Sequence, residues 1–396
     1  MAISAAASIG DDAGWLLAIS CARHAAGIAD ATEVGDAAAR VTDWPAALGI
    51  ARDQRLDALL ARALAQCNAP DRTLSVARDT IATSTARTLG QQRLLARVIG
   101  AFDAAGVPAL PYKGPVLSMQ LYGDPALRSS VDLDVVVPLS AYDVAREVLL
   151  SLGMPPRSGH SARQERTLFR WLGQASFGTG REDFVELHWR FAPLQFPFAL
   201  TPEQALARAS RVRLANQEMS AMATDDLAVT LAMHATRHLF ERLEWLAGVT
   251  RLLLAHASDA DALAEHARRL RGRRMLLVAA GVAARVLGAP LGAKWDGVLA
   301  ADREAQRLAA TMSDELRRCW AGGPQLGGAA LQRRYAELLD TRADRVRSVV
   351  RASLLPTERE WEAIALPDAL TPLYHVVRPL RLLAMYARRA MSHSVA

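Results

Sequence analysis

A chain of 396 residues with a formal net charge of +6 is long enough for two or three domains. Apolar residues make up 51% and charged residues 22%, a balance that excludes intrinsic disorder and predicts a packed globular protein. Arginine carries nearly all of the positive charge, with lysine only at Lys113 and Lys294, and the basic residues are dispersed along predicted helices, which disfavours a nucleic-acid partner.

Residues 1–35 are rich in alanine with weak periodicity and are expected to be partly frayed. A helical pattern begins at Trp44 and continues through Leu48, Ala51, Leu59 and Leu60, with Asp43 as its cap and Pro45 in its first turn. After a break at Asn68–Asp71, a long helix is predicted from about Arg72 to Ala105, ended by Gly106 and Pro108. Val107, Ala109 and Leu110 then lead into Lys113-Gly114, a helical turn, a Gly123-Asp124-Pro125 loop, and an alternating strand from Val131 to Val137. A helix follows from about Leu139 to Leu152, with Ser140 as N-cap and Gly153 as its stop. Thr167–Trp171 is a candidate strand, and Gly178-Thr179-Gly180 a turn. Asp183–Trp189 alternates again, and Pro193, Pro197 and Pro202 mark a linker. From Glu203 onward the pattern is almost wholly helical, with breaks at 322–324, 327–328 and 367–372. The expected fold class is α+β: a small mixed-sheet core at 107–200, flanked by a helical N-terminal region (1–106) and a long helical C-terminal region (201–396).

Cys21, Cys67 and Cys319 are far apart, suiting a reducing compartment and arguing against a disulfide framework. The N-terminus lacks the basic and apolar regions of a signal peptide, and no run approaches the roughly 20 apolar residues of a membrane helix. A cytoplasmic protein without a membrane partner is expected.

Side chains alternate faces along a strand, so Asp132 and Asp134 are expected to point the same way, with Val131, Leu133 and Val135 behind them. Two such carboxylates repel unless a cation lies between them, which is the chemistry of a divalent-metal site. Alone, an Asp-x-Asp pair equally suits a solvent-facing strand edge. Three neighbours favour the metal: Lys113 beside the turn glycine Gly114, Arg128 just before the acids, and Glu186 on the second alternating strand. His188 shares the Glu186 face and reads first as a hydrogen-bonded core histidine. His234 and His238 stand four apart on one helix face, but the stretch lacks the glutamate of a zinc-protease motif and a third ligand. No GxSxG, Walker A or GxGxxG motif occurs.

The ordered set Lys113-Gly114, Tyr122-Gly123-Asp124, Arg128, Asp132-Leu133-Asp134-Val135-Val136-Val137 and Glu186-Leu187-His188-Trp189 resembles the uncharacterised nucleotidyltransferase family of the polymerase-β-like superfamily. Flanking stretches at 44–64, 234–253 and 378–383 are similar too, so the resemblance covers most of the chain beyond about residue 40. It implies a nucleotidyltransferase fold, Mg²⁺, and a nucleoside triphosphate, ATP by default. Asp132, Asp134 and Glu186 would be the catalytic, metal-holding carboxylates. Lys113, Gly114 and Arg128 would hold the β- and γ-phosphates, with Ser130 and His188 beside them as further nucleotide contacts. This chain has Lys113-Gly114-Pro115 where the superfamily usually has Gly-Ser, and Gly248 where many relatives have aspartate.

The expected function is therefore Mg²⁺-dependent NMP transfer to an acceptor that is a small molecule, saccharide, peptide or protein. The alternatives are a catalytically silent protein of this fold that binds a nucleotide or a partner, and a helical scaffold whose acidic strands face solvent. In the scaffold case Glu186 would lie far from Asp132.

Overall fold

The computed structural model describes residues 12–67, 71–128, 130–158, 173–180, 184–214, 217–364 and 366–393. Helices α1 (Ala13–Ala26), α2 (Ala31–Ala38), α3 (Trp44–Asp53) and α4 (Asp57–Gln66) precede the long α5 (Asp71–Ala104). The core then runs β1 (Leu110–Pro111), α6 (Gly114–Tyr122), β2 (Leu133–Val136), α7 (Tyr142–Ser151), β3 (Gln174–Phe177) and β4 (Val185–His188). Next come α8 (Pro202–Ala207), the hairpin β5 (Ser210–Leu214) and β6 (Gln217–Ala221), α9 (Thr224–Arg237), α10 (Leu243–Ala255), α11 (Ala260–Arg269) and α12 (Arg273–Val286). The chain closes with α13 (Ala293–Ala300), α14 (Arg303–Trp320), α15 (Gly328–Glu337), α16 (Arg342–Leu354), α17 (Glu358–Ala363) and α18 (Tyr374–His393). The fold is α+β, a small mixed sheet with flanking helices.

The first four strands lie in the order β1-β2-β4-β3. β2 and β4 are parallel, while β1 and β3 pair antiparallel on the outside. A parallel pair needs a long crossover, and the segment containing α7 supplies part of it. One sheet face is apolar: Leu133, Val135, Val185 and Leu187 join Val98 and Phe102 of α5 and Leu149 of α7 in one buried cluster. Period-two alternation then sends Asp134, Glu186 and His188 to the opposite face. That face meets a second, larger cluster, in which helices from before and after the sheet share one core.

Several expectations at the element ends hold. The Asp43 carboxylate accepts a hydrogen bond from the Ala46 amide at 3.0 Å, and Gly153 adopts a positive φ of 76°. Ser140, by contrast, lies within a short 3₁₀ turn (Leu139–Ala141), and α7 starts without a side-chain cap.

Two expectations are corrected. Of the stretch 1–35 expected to be partly frayed, residues 1–11 lie outside the described residues, and 13–26 and 31–38 are helices with Leu17 and Cys21 fully buried. Alanine on every face of α1 flattens the hydrophobic contrast that periodicity relies on, while Asp12 caps the helix through the Gly14 amide at 2.8 Å. The expectation of an almost wholly helical region after Glu203 missed one hairpin, formed by β5 and β6. Its inward residues, Val212, Leu214, Met219 and Ala221, alternate with Arg211, Arg213, Glu218 and Ser220. The candidate strand at 167–171 lies outside the described residues.

Candidate metal and nucleotide site

The turn between β1 and α6 carries Lys113 and Gly114. Gly114 has φ of +59°, a conformation that glycine adopts without strain, and a Cβ there would meet nothing closer than 3.7 Å. Backbone conformation rather than crowding therefore selects glycine at this turn. Lys113 Nζ donates to Asp134 Oδ1 at 2.9 Å. His188 Nε2 lies 2.8 Å from the same oxygen and 3.4 Å from Glu186 Oε2. The register explains this convergence, since Asp134 sits directly opposite Glu186, and His188 lies one strand repeat beyond it. Gln174 of the edge strand β3 donates to Glu186 Oε2 at 2.9 Å.

Asp132 stands just before β2. The Ser130 hydroxyl donates to the Asp132 carbonyl at 2.7 Å and lies 3.4 Å from its carboxylate, while Gln91 of α5 donates to the Ser130 carbonyl at 3.0 Å. Ser130 thus holds the approach to β2 in place.

The electrostatics separate the two aspartates. Burial raises the Asp132 carboxyl above the usual carboxylate range, and the negative charges of Asp134 and Glu186 push it further. Burial would raise Asp134 too, but the Lys113 ammonium and the His188 hydrogen bond outweigh it and hold Asp134 well below that range. His188 is raised: burial opposes its charging, and hydrogen bonds to Asp134 and Glu186 prevail. The ring of Tyr112 meets His188 edge to face at 5.5 Å between centroids.

The donor set suits a divalent cation. Ligand atoms of Asp134, Glu186 and His188 lie within 4.8 Å of one another, and Asp132 adds negative charge beside them. A scaffold whose acidic strands merely face solvent does not fit this packing, with Glu186 beside Asp134 and its charge acting on Asp132.

Arg128, given a phosphate role by the resemblance, reaches from the loop before β2 to the helical region. Its Nε donates to Glu244 Oε1 of α10 at 2.7 Å, and both side chains are buried. Glu244 Oε2 is buried without a hydrogen-bond partner among the described residues. The guanidinium therefore ties the loop before β2 to the helical region. His234 and His238 pack on each other at 4.7 Å and on Trp245 at 4.9 and 5.1 Å between ring centroids. Burial lowers the pKa of both, aided by Lys113 and Arg237, and His238 is pushed down to about 4.

Sequence reasoning missed Gln174, Gln91, Tyr112 and Glu244. None of these carried a distinct signal: Glu244 stands in a stretch, Leu239 to Leu246, that also holds Glu241 and Arg242, so its burial is not visible in the local pattern.

No curated protein matches the chain. A solved structure with similarity is the solution structure of the antibiotic-resistance factor ANT(2″)-Ia, at 16% identity, covering 45% of this chain and 97% of that one with a TM-score of 0.29. A likeness that slight carries no argument. The family model described as uncharacterised nucleotidyltransferase matches residues 40–288, which include every site residue above. That match spans more than half of the sequence and both alternating acidic strands, and the chain belongs to the uncharacterised nucleotidyltransferase family.

Proposed function

We propose that this chain transfers an NMP group from a nucleoside triphosphate, ATP by default, to an acceptor hydroxyl. One observation supports this above all: the parallel register of β2 and β4 sets Asp134 beside Glu186, with Lys113 and His188 converging on their oxygens. In the reaction the acceptor oxygen forms a bond to the α-phosphorus and gives up its proton to solvent, the α–β bridging P–O bond breaks, and pyrophosphate leaves.

Asp132, Asp134 and Glu186 would hold Mg²⁺, which when bound offsets charge on the phosphates. Lys113 would transfer its contact from Asp134 to the β- and γ-phosphates as the nucleotide enters. His188 and Gln174 orient Asp134 and Glu186, and Ser130 orients Asp132. Arg128 acts at one remove, by anchoring the loop.

We assign this chemistry to residues 107–200 and acceptor recognition to the helices on either side. Lys113 and His234 line one small recess. Trp245 lines it too, and His238, which packs on both His234 and Trp245, lines a cavity of about 870 Å³ with Arg237, Trp15, Trp320, Glu315 and Tyr335. That volume suits a small-molecule acceptor.

The test is incubation with α-labelled NTPs, Mg²⁺ and a lysate of the source cells, followed by identification of the labelled product. Label retained only in nucleotide would count against transfer. The silent reading draws support from Lys113, which already neutralises Asp134. Calorimetry showing nucleotide binding without Mg²⁺, together with no pyrophosphate release, would favour it.

A further inference from the structure

The C-terminal helices α16–α18 are built with charge inside and aliphatic groups outside. Glu360 is fully buried and receives Arg378 at 3.1 Å and also Arg381. Asp344 is buried likewise, under Arg271 and Arg347 at 3.0 and 2.8 Å. Among the described residues the buried members of this segment's apolar cluster are Trp361 and Tyr374, with Leu366 and Val377 packed against them. Yet ten of the thirteen large exposed aliphatic residues among the described residues lie between Val346 and Leu383. They recur at helical spacing: Val346, Val349 and Val350 on α16, and Val376, Leu380 and Leu383 on α18. Val346, Leu380 and Leu383 are 65%, 59% and 66% exposed. Two such aliphatic stripes on neighbouring helices, with acid–arginine pairs turned inward, mark a surface that something covers.

Charge decides what. Residues 341–396 hold nine arginines and five acids, a net of +4 out of the chain's +6. α18 holds Arg378, Arg381, Arg388 and Arg389 and no acid. A second copy would bring two such cationic segments together. A bilayer with anionic headgroups meets both demands, taking the aliphatic stripes into the acyl boundary and the exposed Arg342, Arg347 and Arg359 against the headgroups. Among the described residues no helix is long and apolar enough to cross a membrane, so the contact is with the surface.

We propose that the α16–α18 face docks on an anionic membrane surface. The proposal is independent of the catalytic assignment. Flotation of the full chain with phosphatidylcholine–phosphatidylglycerol vesicles and with pure phosphatidylcholine vesicles tests it, alongside light-scattering mass without lipid. The expected result is flotation with the anionic vesicles alone, weakened by salt, and reduced about tenfold or more in Leu380→Glu/Leu383→Glu, whose circular dichroism stays that of the wild type. Absence from both vesicle fractions would overturn the proposal. So would a stable dimer that the same double substitution dissociates, which would make a second copy the covering partner.

Discussion

Lys113 and Asp134, 21 residues apart, form a 2.9 Å ion pair in which the carboxylate is almost wholly buried and the lysine side chain is 18% exposed. The lysine comes from the turn after β1 and the aspartate from the middle of β2, so the pair exists only once the sheet has formed. It holds Asp134 ionised ahead of any cation. Lys113→Met is therefore expected to raise the KM for the nucleotide by roughly ten- to a hundredfold, on the scale of a lost charge-assisted contact. It should also lower stability by about 1–3 kcal/mol. Steady-state kinetics and urea unfolding check the two separately.

Arg128 and Glu244 make the opposite case. Removing one member of a fully buried pair leaves the other charged and unsolvated, so Arg128→Met should cost about 3–5 kcal/mol. Arg128→Met combined with Glu244→Leu should recover most of that loss. A direct phosphate role for Arg128 predicts instead that nucleotide KM rises in the double variant while stability returns. Denaturant unfolding of the single and double variants, with KM measured on the double, distinguishes the two.

Gly114→Ala tests the turn. Its φ of +59° puts a non-glycine residue in the left-handed region, at about 1–2 kcal/mol, although a Cβ would meet no atom closer than 3.7 Å. Thermal unfolding should show that loss. An unchanged midpoint would mean that the turn relaxes.

Acid stability should report on the histidine cluster. His238 has a folded pKa of about 4 against an ordinary 6.5, so between these values the unfolded chain binds the extra proton. Stability contributed by neutral His238 is present above pH 6.5 and is lost as pH falls toward about 4. His238→Phe keeps a ring against His234 and Trp245 without titrating, and should flatten that limb of a plot of Tm against pH.

The parts of the fold visible in the sequence are those where alternation is strong. Asp132-Leu133-Asp134-Val135 and Phe184-Val185-Glu186-Leu187-His188 name both central strands and the residues that share a face of each, while the register between them comes from the fold. β3 escaped because Gln174-Ala175-Ser176-Phe177 has no β-branched residue, and α1 because alanine hides its stripe. The destination of Arg128 was hidden for another reason: its partner lies 116 residues later and is set by helix packing rather than by local pattern. His188 read as a core histidine, and it is buried, but its partners are the two carboxylates of the candidate metal site.

The central claim is that Asp132, Asp134 and Glu186 act together on a nucleoside triphosphate. Its most direct measurement is Mg²⁺-dependent pyrophosphate release, with lysate as acceptor source, by the wild type and by Asp132→Asn of matched circular dichroism. The account predicts turnover by the wild type and a loss of roughly a thousandfold in the variant, the equivalent of about 4 kcal/mol of barrier. Turnover by Asp132→Asn equal to that of the wild type would contradict it.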